Sequence, residues 1–376
     1  MTYFIIGSGI WGSVMAERIA SVLRVPVVVV ERRNHVGGNC HASRDAATGI
    51  ECHRYGSHIF HTKIREVWDY LTKFTRFNSY RHKVLIRHAG RTYVMPINLA
   101  TINALYQKNF TPEEAQNLLQ EESNRAFPAE ARPQNLEEKA VSQIGRPLYE
   151  AFIRDYTAKQ WGRAPVDLPA SIINRLPIRT SYNFDYFDDP WQGIPWDGYA
   201  ALFARLLDNT LITVRLNTSY EAIKTEIPSD ATVIYTGQAD ALFDCVHGEL
   251  EWRSLRFEWE TVNQRDYQGT SVMNYADADV AYTRIHEFKH YHPERTEIFE
   301  SGHTVICREY PSAWTSGGEA YYPLNDARNT ALYERYAAMA QEAGIILGGR
   351  LGAYRYWDMD KAVADALRVF ETRIAG

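Results

Sequence analysis

The chain has few cysteines, no long apolar run and no surplus of positive charge, and each absence removes a class of function. Cys40, Cys52, Cys245 and Cys307 are its four cysteines, scattered without a CxxC pair. That argues against a disulfide scaffold or a structural zinc site, so no metal is expected and a reducing, cytoplasmic location is. No run of about 18 apolar residues occurs, which predicts no membrane span. Phe4-Ile5-Ile6 runs straight into a glycine loop and reads as a strand, not a signal peptide. Lys+Arg is 41 and Asp+Glu 46, a net charge of −5 that suits no general nucleic-acid binder. What is plentiful is tyrosine and tryptophan, 24 and 9 beside 15 Phe. A flat apolar face with a polar edge suits stacking on rings and sugars, and equally suits sheet packing. At 376 residues, 45% hydrophobic and 23% charged, the chain is of ordinary globular composition and long enough for two or three domains.

The first forty residues carry the clearest chemistry. Tyr3 to Ile6 is a short apolar run ending in Gly7-Ser8-Gly9-Ile10-Trp11-Gly12. A helical pattern follows (Val14, Met15, Ile19), then the valine-rich Pro26 to Val30, which reads as a strand buried on both faces. Glu31 closes that strand 19 residues after Gly12. This is the dinucleotide fingerprint in its required context. Gly7 makes the tight turn, Gly9 lets backbone approach a pyrophosphate, Gly12 allows close helix–strand packing, and Glu31 is placed for a ribose hydroxyl. A carboxylate there disfavours NADP, whose 2′-phosphate it would repel. Arg32 to Asn39 adds a glycine pair, Gly37-Gly38, after the acidic residue. In FAD enzymes of the amine-oxidase and disulfide-reductase type this region folds back over the pyrophosphate; a plain surface turn would read the same way.

Further along, Val84-Leu85-Ile86-Arg87 and Arg91-Thr92-Tyr93-Val94 flank Ala89-Gly90, a hairpin signal. Thr111-Pro112-Glu113-Glu114 is a capping box with proline at the first helical position. Another helix is predicted from Asn135, broken by Gly145 and Pro147. From about Leu250 to Tyr310 the pattern is strand-rich. Thr232 to Gly237 reads as a last sheet strand, Ile345 to Arg350 as a strand ending in glycines, and Lys361 to Thr372 as a terminal helix.

Several longer segments together resemble the bacterial UDP-galactopyranose mutases, a family of FAD enzymes. They are Glu31 to Asn39, Tyr55 to Thr62 (YGSHIFHT), Tyr156 to Gly162 (YTAKQWG), Arg175 to Arg179 (RLPIR), Tyr186-Phe187, Tyr282 to Ile285 (YTRI), Tyr321 to Pro323 (YYP) and Gly349 to Asp360 (GRLGAYRYWDMD). The resemblance implies an α/β fold: a discontinuous Rossmann-like FAD domain (1–78, 192–240, 325–376), a helical insertion (98–160) with a mobile substrate loop, and a mixed or antiparallel substrate sheet (79–97, 161–191, 241–324). It implies that His58 and His61 lie against the flavin, and that Arg175 and Arg284 grip the substrate diphosphate, with Arg179 a weaker candidate. Phe152, Tyr156, Thr157, Trp161 and Tyr186 would form the nucleotide pocket. Tyr322, Tyr356 and Asp358 would bind phosphate and sugar hydroxyls, and His82 stands where some relatives carry asparagine at the sugar site. Cofactor contacts would come from Gly7, Gly9, Ile10, Trp11, Gly12, Glu31, Arg32, Gly38, Asn39, Ser57, His58, Ile59, Arg350, Tyr356, Asp358 and Met359.

The implied reaction interconverts UDP-galactopyranose, or a close UDP-hexose, with its furanose. Reduced flavin is the nucleophile and carries the sugar covalently while UDP is held. The sequence agrees in offering no Ser-His-Asp order and no obvious carboxylate pair beside the aromatic motifs. An external reductant such as NAD(P)H or a reductase, a homodimer and a role in cell-surface polysaccharide synthesis complete the expectation. Two rivals share the fingerprint. One is an FAD oxidoreductase of the amine-oxidase type, and the other a non-enzymatic binding protein on the same fold.

Overall fold

Tyr3–Ile6 is buried at all four positions and pairs in parallel with Val27–Val30 on one side and Thr232–Tyr235 on the other. Such a strand must be apolar on both faces, because helices and loops cover the sheet on each side. The full parallel order is Ile346–Leu347, Thr232–Tyr235, Tyr3–Ile6, Val27–Val30, Ile212–Arg215. One face is a cluster of Phe4, Ile6, Val30, Ile223 and Tyr235. On the other, Ile5 lies beneath the fingerprint helix Ile10–Arg18, its Cγ2 only 3.3 Å from where a Gly12 Cβ would stand. The terminal helix Met359–Val369 packs on that same helix. The computed structural model describes residues 2–128, 130–175 and 177–376, with backbone alone at 174 and 175.

These elements belong to the first of two units, Met1–Tyr80, Asp189–Trp252 and Gly318–Gly376. The second comprises Arg81–Asp188 and Arg253–Gly317. Its sheet runs in the order Trp252–Val262, Thr304–Ala313, Arg284–Glu287, Val272–Tyr275, Val84–His88, Arg91–Met95. All neighbours are antiparallel except Val272–Tyr275 and Val84–His88. The architecture is therefore α/β, a Rossmann-like parallel sheet together with a mixed, mainly antiparallel one. The helical block of the second unit shows its local signals directly. Thr111 and Glu114 make the reciprocal capping box of Pro112–Ala126, and Asn135 caps Leu136–Tyr149. Gly145 interrupts the latter helix at φ 71°, where a Cβ would sit 2.4 Å from the Glu122 Cβ. The glycine allows both the positive φ and the close approach of the two helices.

Among the described residues no helix is long and apolar enough to cross a membrane. The cysteines are all free thiols. Burial pushes Cys40 and Cys52 up to about 12, and Cys307 is also buried, whereas Cys245 is half-exposed. Thiolate is the reactive form. Iodoacetamide near neutral pH is therefore expected to modify Cys245 first and leave the other three until denaturant is added; peptide mass spectrometry reads the order.

Candidate functional site

The glycine loop of the first unit is built for a phosphate. Gly7 sits at φ 108°, and its N–H donates to the Val30 carbonyl at 2.8 Å, which ties the turn to the second strand. A Cβ on Gly12 would lie 2.1 Å from the Gly7 carbonyl oxygen, so only glycine lets the helix start so close to the strand. Gly9 caps the helix without a side-chain bond, and a Cβ there meets nothing within 4 Å among the described residues. The helix thus presents its first-turn amides to open space. Gly37 bridges to Gly9 and donates to the Ser8 carbonyl at 3.0 Å. Gly38 follows at φ 55°, its absent Cβ 3.0 Å from the Gly9 Cα. The second glycine pair therefore folds back onto the first, and the cradle fits a dinucleotide pyrophosphate.

Glu31 is buried and held by three donors. Its Oε2 accepts from the Ser8 N–H (3.0 Å) and Oγ–H (2.7 Å), and its Oε1 from the Arg33 N–H (3.0 Å). A carboxylate offers about four lone-pair sites, so the fixed group retains one for a ribose hydroxyl. Other expected cofactor residues divide. Ile10 opens the helix and is buried, as is Trp11. The Trp11 indole packs on Gly348 and donates to Asp365 at 2.9 Å, which leaves its backbone as the part able to face a phosphate. Arg32 points to Glu319 at 2.7 Å, and Arg33 joins that glutamate to Asn39 (2.5 and 2.9 Å).

Ser57, His58 and Ile59 lie half-buried between the strands Glu51–His53 and Phe60–Thr62. The His58 amide donates to His53 Nδ1 (3.0 Å), and its Nδ1 is 2.7 Å from the Gly56 carbonyl. A carbonyl only accepts, so His58 Nδ1 carries the proton. His61 Nδ1 meets Asp189 Oδ2 at 2.5 Å, so the second histidine has a carboxylate partner. Tyr322 and Tyr356 stack with centroids 5.0 Å apart, and the Arg350 guanidinium lies 5.9 Å from each ring. Arg350 donates to the carbonyls of Tyr321 (3.3 Å) and Trp357 (2.8 Å), which joins the YYP and YRYWD segments. Tyr321 is buried and Tyr322, which opens the short strand Tyr322–Pro323, is half-buried. Asp358 is the N-cap of Met359–Val369, with Met359 buried behind it.

In the second unit one row of paired residues crosses the sheet: Phe257, Glu309, Arg284, Asn274, Ile86 and Tyr93. Directly paired residues share a face, so this row forms one surface. Arg284 is its centre. Its Nη2 donates to the Tyr156 hydroxyl (2.5 Å) and to Gln160 Oε1 (3.3 Å), and its Nε stands 3.3 Å from Glu309 Oε1. The buried His286 meets Glu309 Oε2 at 3.0 Å. Buried Asn274 has an Oδ1 with no hydrogen-bond partner among the described residues. An orphaned buried carbonyl beside a guanidinium is what a polar ligand would satisfy. Tyr156 and Gln160 are four apart, so the helix Asp155–Trp161 presents both on one side. Burial pushes the Tyr156 phenol up to about 12, and Tyr186 lies close enough to add to the shift. Phe152 is a buried residue packed edge-on against His88 and Tyr93, and Thr157, next to Tyr156 in sequence, is also buried. His82 stacks on Phe187 (5.6 Å) and lies edge-on to Tyr186 (5.3 Å), which gives it a definite aromatic setting. Trp161 is half-buried at the end of its helix. Arg179 donates to the Asp185 carbonyl and pairs with Asp188, both at 2.6 Å. The side chain of Arg175 lies outside the described residues.

Sequence reasoning passed over Gln160, Glu309, Asn274 and Arg253. Gln160 stands inside a quoted motif, but the other three become neighbours of the site only through strand register and helix docking. Asp266, Glu287 and His290 are clustered closely enough to hold a metal ion. Glu287 is already engaged by the Tyr267 and Gln268 amides and the Thr304 hydroxyl (3.0, 2.9 and 2.7 Å), so the cluster serves the loop it closes.

Residues 151–356, more than half of the chain, match the family model described as UDP-galactopyranose mutase, and residues 5–74 match an NAD(P)-binding Rossmann-like domain. A Klebsiella pneumoniae protein named "Probable UDP-galactopyranose mutase" is 39% identical over 97% of this chain and 92% of its own length. An Escherichia coli dTDP-fucopyranose mutase is 36% identical over 96% of each. A crystal structure of reduced UDP-galactopyranose mutase superposes with a TM-score of 0.77 over 100% of this chain and 95% of that one, at 15% identity. A putative protoporphyrinogen oxidase from Exiguobacterium superposes with a TM-score of 0.62, at 15% identity over 99% of this chain and 98% of that one, a likeness of fold. On the extent of the family match and the identity of its relatives, the chain belongs to the UDP-galactopyranose mutase family of isomerases.

Proposed function

We propose that this chain interconverts the pyranose and furanose forms of UDP-galactose, or of a close UDP-hexose, with FAD in the reduced state. The observation that carries the reading is Arg284, held by Tyr156, Gln160 and buried Glu309 beside the orphaned Asn274 carbonyl. When bound and reduced, a flavin supplies an electron-rich ring nitrogen suited to an anomeric carbon. Gly9, Gly38 and the first turn of Ile10–Arg18 would hold its pyrophosphate, and Glu31 a ribose hydroxyl. His58, with Nδ1 fixed on Gly56, would present its Nε2 edge to the flavin ring. Arg284 would take up the charge that UDP gains when it departs with the C1–O electron pair, and would keep UDP at hand for return. Its bonds to phosphate oxygens are charge-assisted, about 1.5–3 kcal/mol each. Asn274 would satisfy its amide on the base or ribose, and the phenols of Tyr322 and Tyr356 would bind phosphate or sugar oxygens. The resemblance extends the proposal to an external reductant such as NAD(P)H or a reductase, a homodimer, a cytoplasmic setting and a polysaccharide pathway.

The test is incubation of dithionite-reduced protein with UDP-galactose, UDP-N-acetylgalactosamine and their 6-deoxy analogues. Because one relative is named for dTDP-fucopyranose, that sugar nucleotide belongs in the series. Furanose product seen by NMR, with reductant needed only in catalytic amount, is the expected result. Stoichiometric substrate oxidation would instead mark an oxidoreductase of the amine-oxidase type, and absence of any ring contraction would overturn the reading.

A further inference from the structure

Lys159 sits in the middle of the segment that carries Tyr156 and Gln160, and the reaction proposed above gives it nothing to do. Its Nζ donates to the carbonyls of Tyr275 (2.8 Å), Asp277 (2.7 Å) and Val280 (2.9 Å), with the Tyr282 carbonyl at 3.4 Å. An ammonium has three N–H groups and no acceptor. Three short bonds therefore saturate it, and the fourth carbonyl completes a cage of dipoles around the charge. The cage is the connection between the strands Val272–Tyr275 and Arg284–Glu287, and it is anchored without the lysine. The Asp277 carboxylate accepts from the Ala89 amide (3.0 Å) and meets His88 Nδ1 (2.7 Å). The Ala276 amide donates to the Arg87 carbonyl (2.9 Å), and the Tyr275 amide to the Thr283 carbonyl (2.9 Å). With the cage fixed, the helix is the part that the lysine places.

We propose that Lys159 is a positioning residue. By seating its ammonium in the 275–282 carbonyl cage it docks the helix Asp155–Trp161, so that Tyr156 and Gln160 reach Arg284. The geometry of one helical turn supports this. Tyr156 and Gln160 share a face, and Lys159 projects beside them, so the helix cannot slide along the sheet without emptying the cage. The far end is tied separately, by the Arg253 Nε bond to the Gln160 carbonyl at 3.1 Å. Gly162 then ends the helix at φ 64°, its amide on the Ala158 carbonyl at 2.8 Å. A side chain there would start 2.7 Å from Arg253 Nη1. The cage thus sets the register of the helix, and Arg253 closes its end. The inference rests on the reading of Arg284 as the diphosphate residue; the docking itself does not.

The test uses full-length, flavin-loaded protein with Lys159→Met, which keeps the stem and removes the three donors, and Lys159→Ala, which opens room for an added alkylammonium. Amide hydrogen exchange of the 155–162 segment without substrate reads docking directly. Faster exchange in both variants is expected, with reversal of the Ala defect by ethylammonium chloride but not by sodium chloride. UDP titration and steady-state turnover read the consequence: KM and the UDP dissociation constant rise about tenfold or more, kcat changes much less, and flavin content stays at the parent level. Parental exchange and parental KM in Lys159→Met would overturn the proposal. So would an Ala defect that ethylammonium and sodium chloride affect equally. Should Lys159→Met fail to fold, the Ala variant refolded with ethylammonium decides. If the parent itself binds no UDP, the reading of Arg284 fails while exchange still reports on docking.

Discussion

Gly9→Val is expected to give a chain that folds and melts close to its parent yet carries no flavin. Gly9 has φ −61° and ψ 173°, a conformation open to any residue. The position a Cβ would take meets no atom of the described residues within 4 Å. The folded protein therefore accommodates valine at no steric cost, apart from a helix-cap preference of about 1 kcal/mol or less. The space that the side chain fills is the one a pyrophosphate needs. Loss of two charge-assisted backbone bonds there amounts to about 3 kcal/mol, at least about 100-fold in flavin affinity. Gly12→Val is the contrasting variant. Its Cβ would stand 2.1 Å from the Gly7 carbonyl oxygen, an atom of backbone, so strand and helix must separate. Overpacking of this kind costs about 1–3 kcal/mol or more, and the expected product is poorly folded. Flavin absorbance relative to protein absorbance, with a thermal melt, distinguishes the two. A Gly9→Val protein that keeps stoichiometric flavin would mean that the cradle is not where the cofactor lies.

Arg284→Ala should cause the largest loss among substitutions in the second unit, about 1,000-fold or more in kcat/KM, on the loss of two charge-assisted bonds worth about 1.5–3 kcal/mol each. It should also destabilise the unit. Glu309 is 2% exposed, so removal of the guanidinium leaves a buried carboxylate that faces His286. Breaking a buried pair in this way costs about 3–5 kcal/mol. Two further variants separate binding from stability. Arg284→Lys keeps the charge but lacks the planar fork, so it should bind UDP weakly and still turn over. Glu309→Gln keeps the shape and removes the charge that orients the guanidinium, so it should raise KM while leaving flavin content unchanged. Equal UDP affinity in the parent and Arg284→Ala, measured by titration, would remove Arg284 from the diphosphate site.

The parts legible in the sequence were those whose cause is local. Gly7 to Gly12, Glu31 and the Gly37-Gly38 pair could be read because a tight turn, a close backbone approach and a strand-end carboxylate each demand a residue type at a fixed spacing. The capping box at Thr111 and the break at Gly145 were readable for the same reason. Trp11 shows where locality ends. It stands in the fingerprint, but its ring turns to Asp365 because Gly348, more than three hundred residues away, leaves room for it.

What tertiary structure alone decided is which side chains meet. Glu309, Arg284 and Asn274 come from three strands, and the antiparallel register puts them side by side. A slip of one residue would turn each to the opposite face, and no motif in the chain records that register. Lys159 is a fixed point only because the folded loop at 275–282 supplies the carbonyls around it. Spacing along the chain specifies backbone conformation, and so the glycine turn and the helix that follows it could be foreseen. The face around Arg284 depends on strand register and on a helix contact across 128 residues, from Tyr156 to Arg284, and those follow from packing alone.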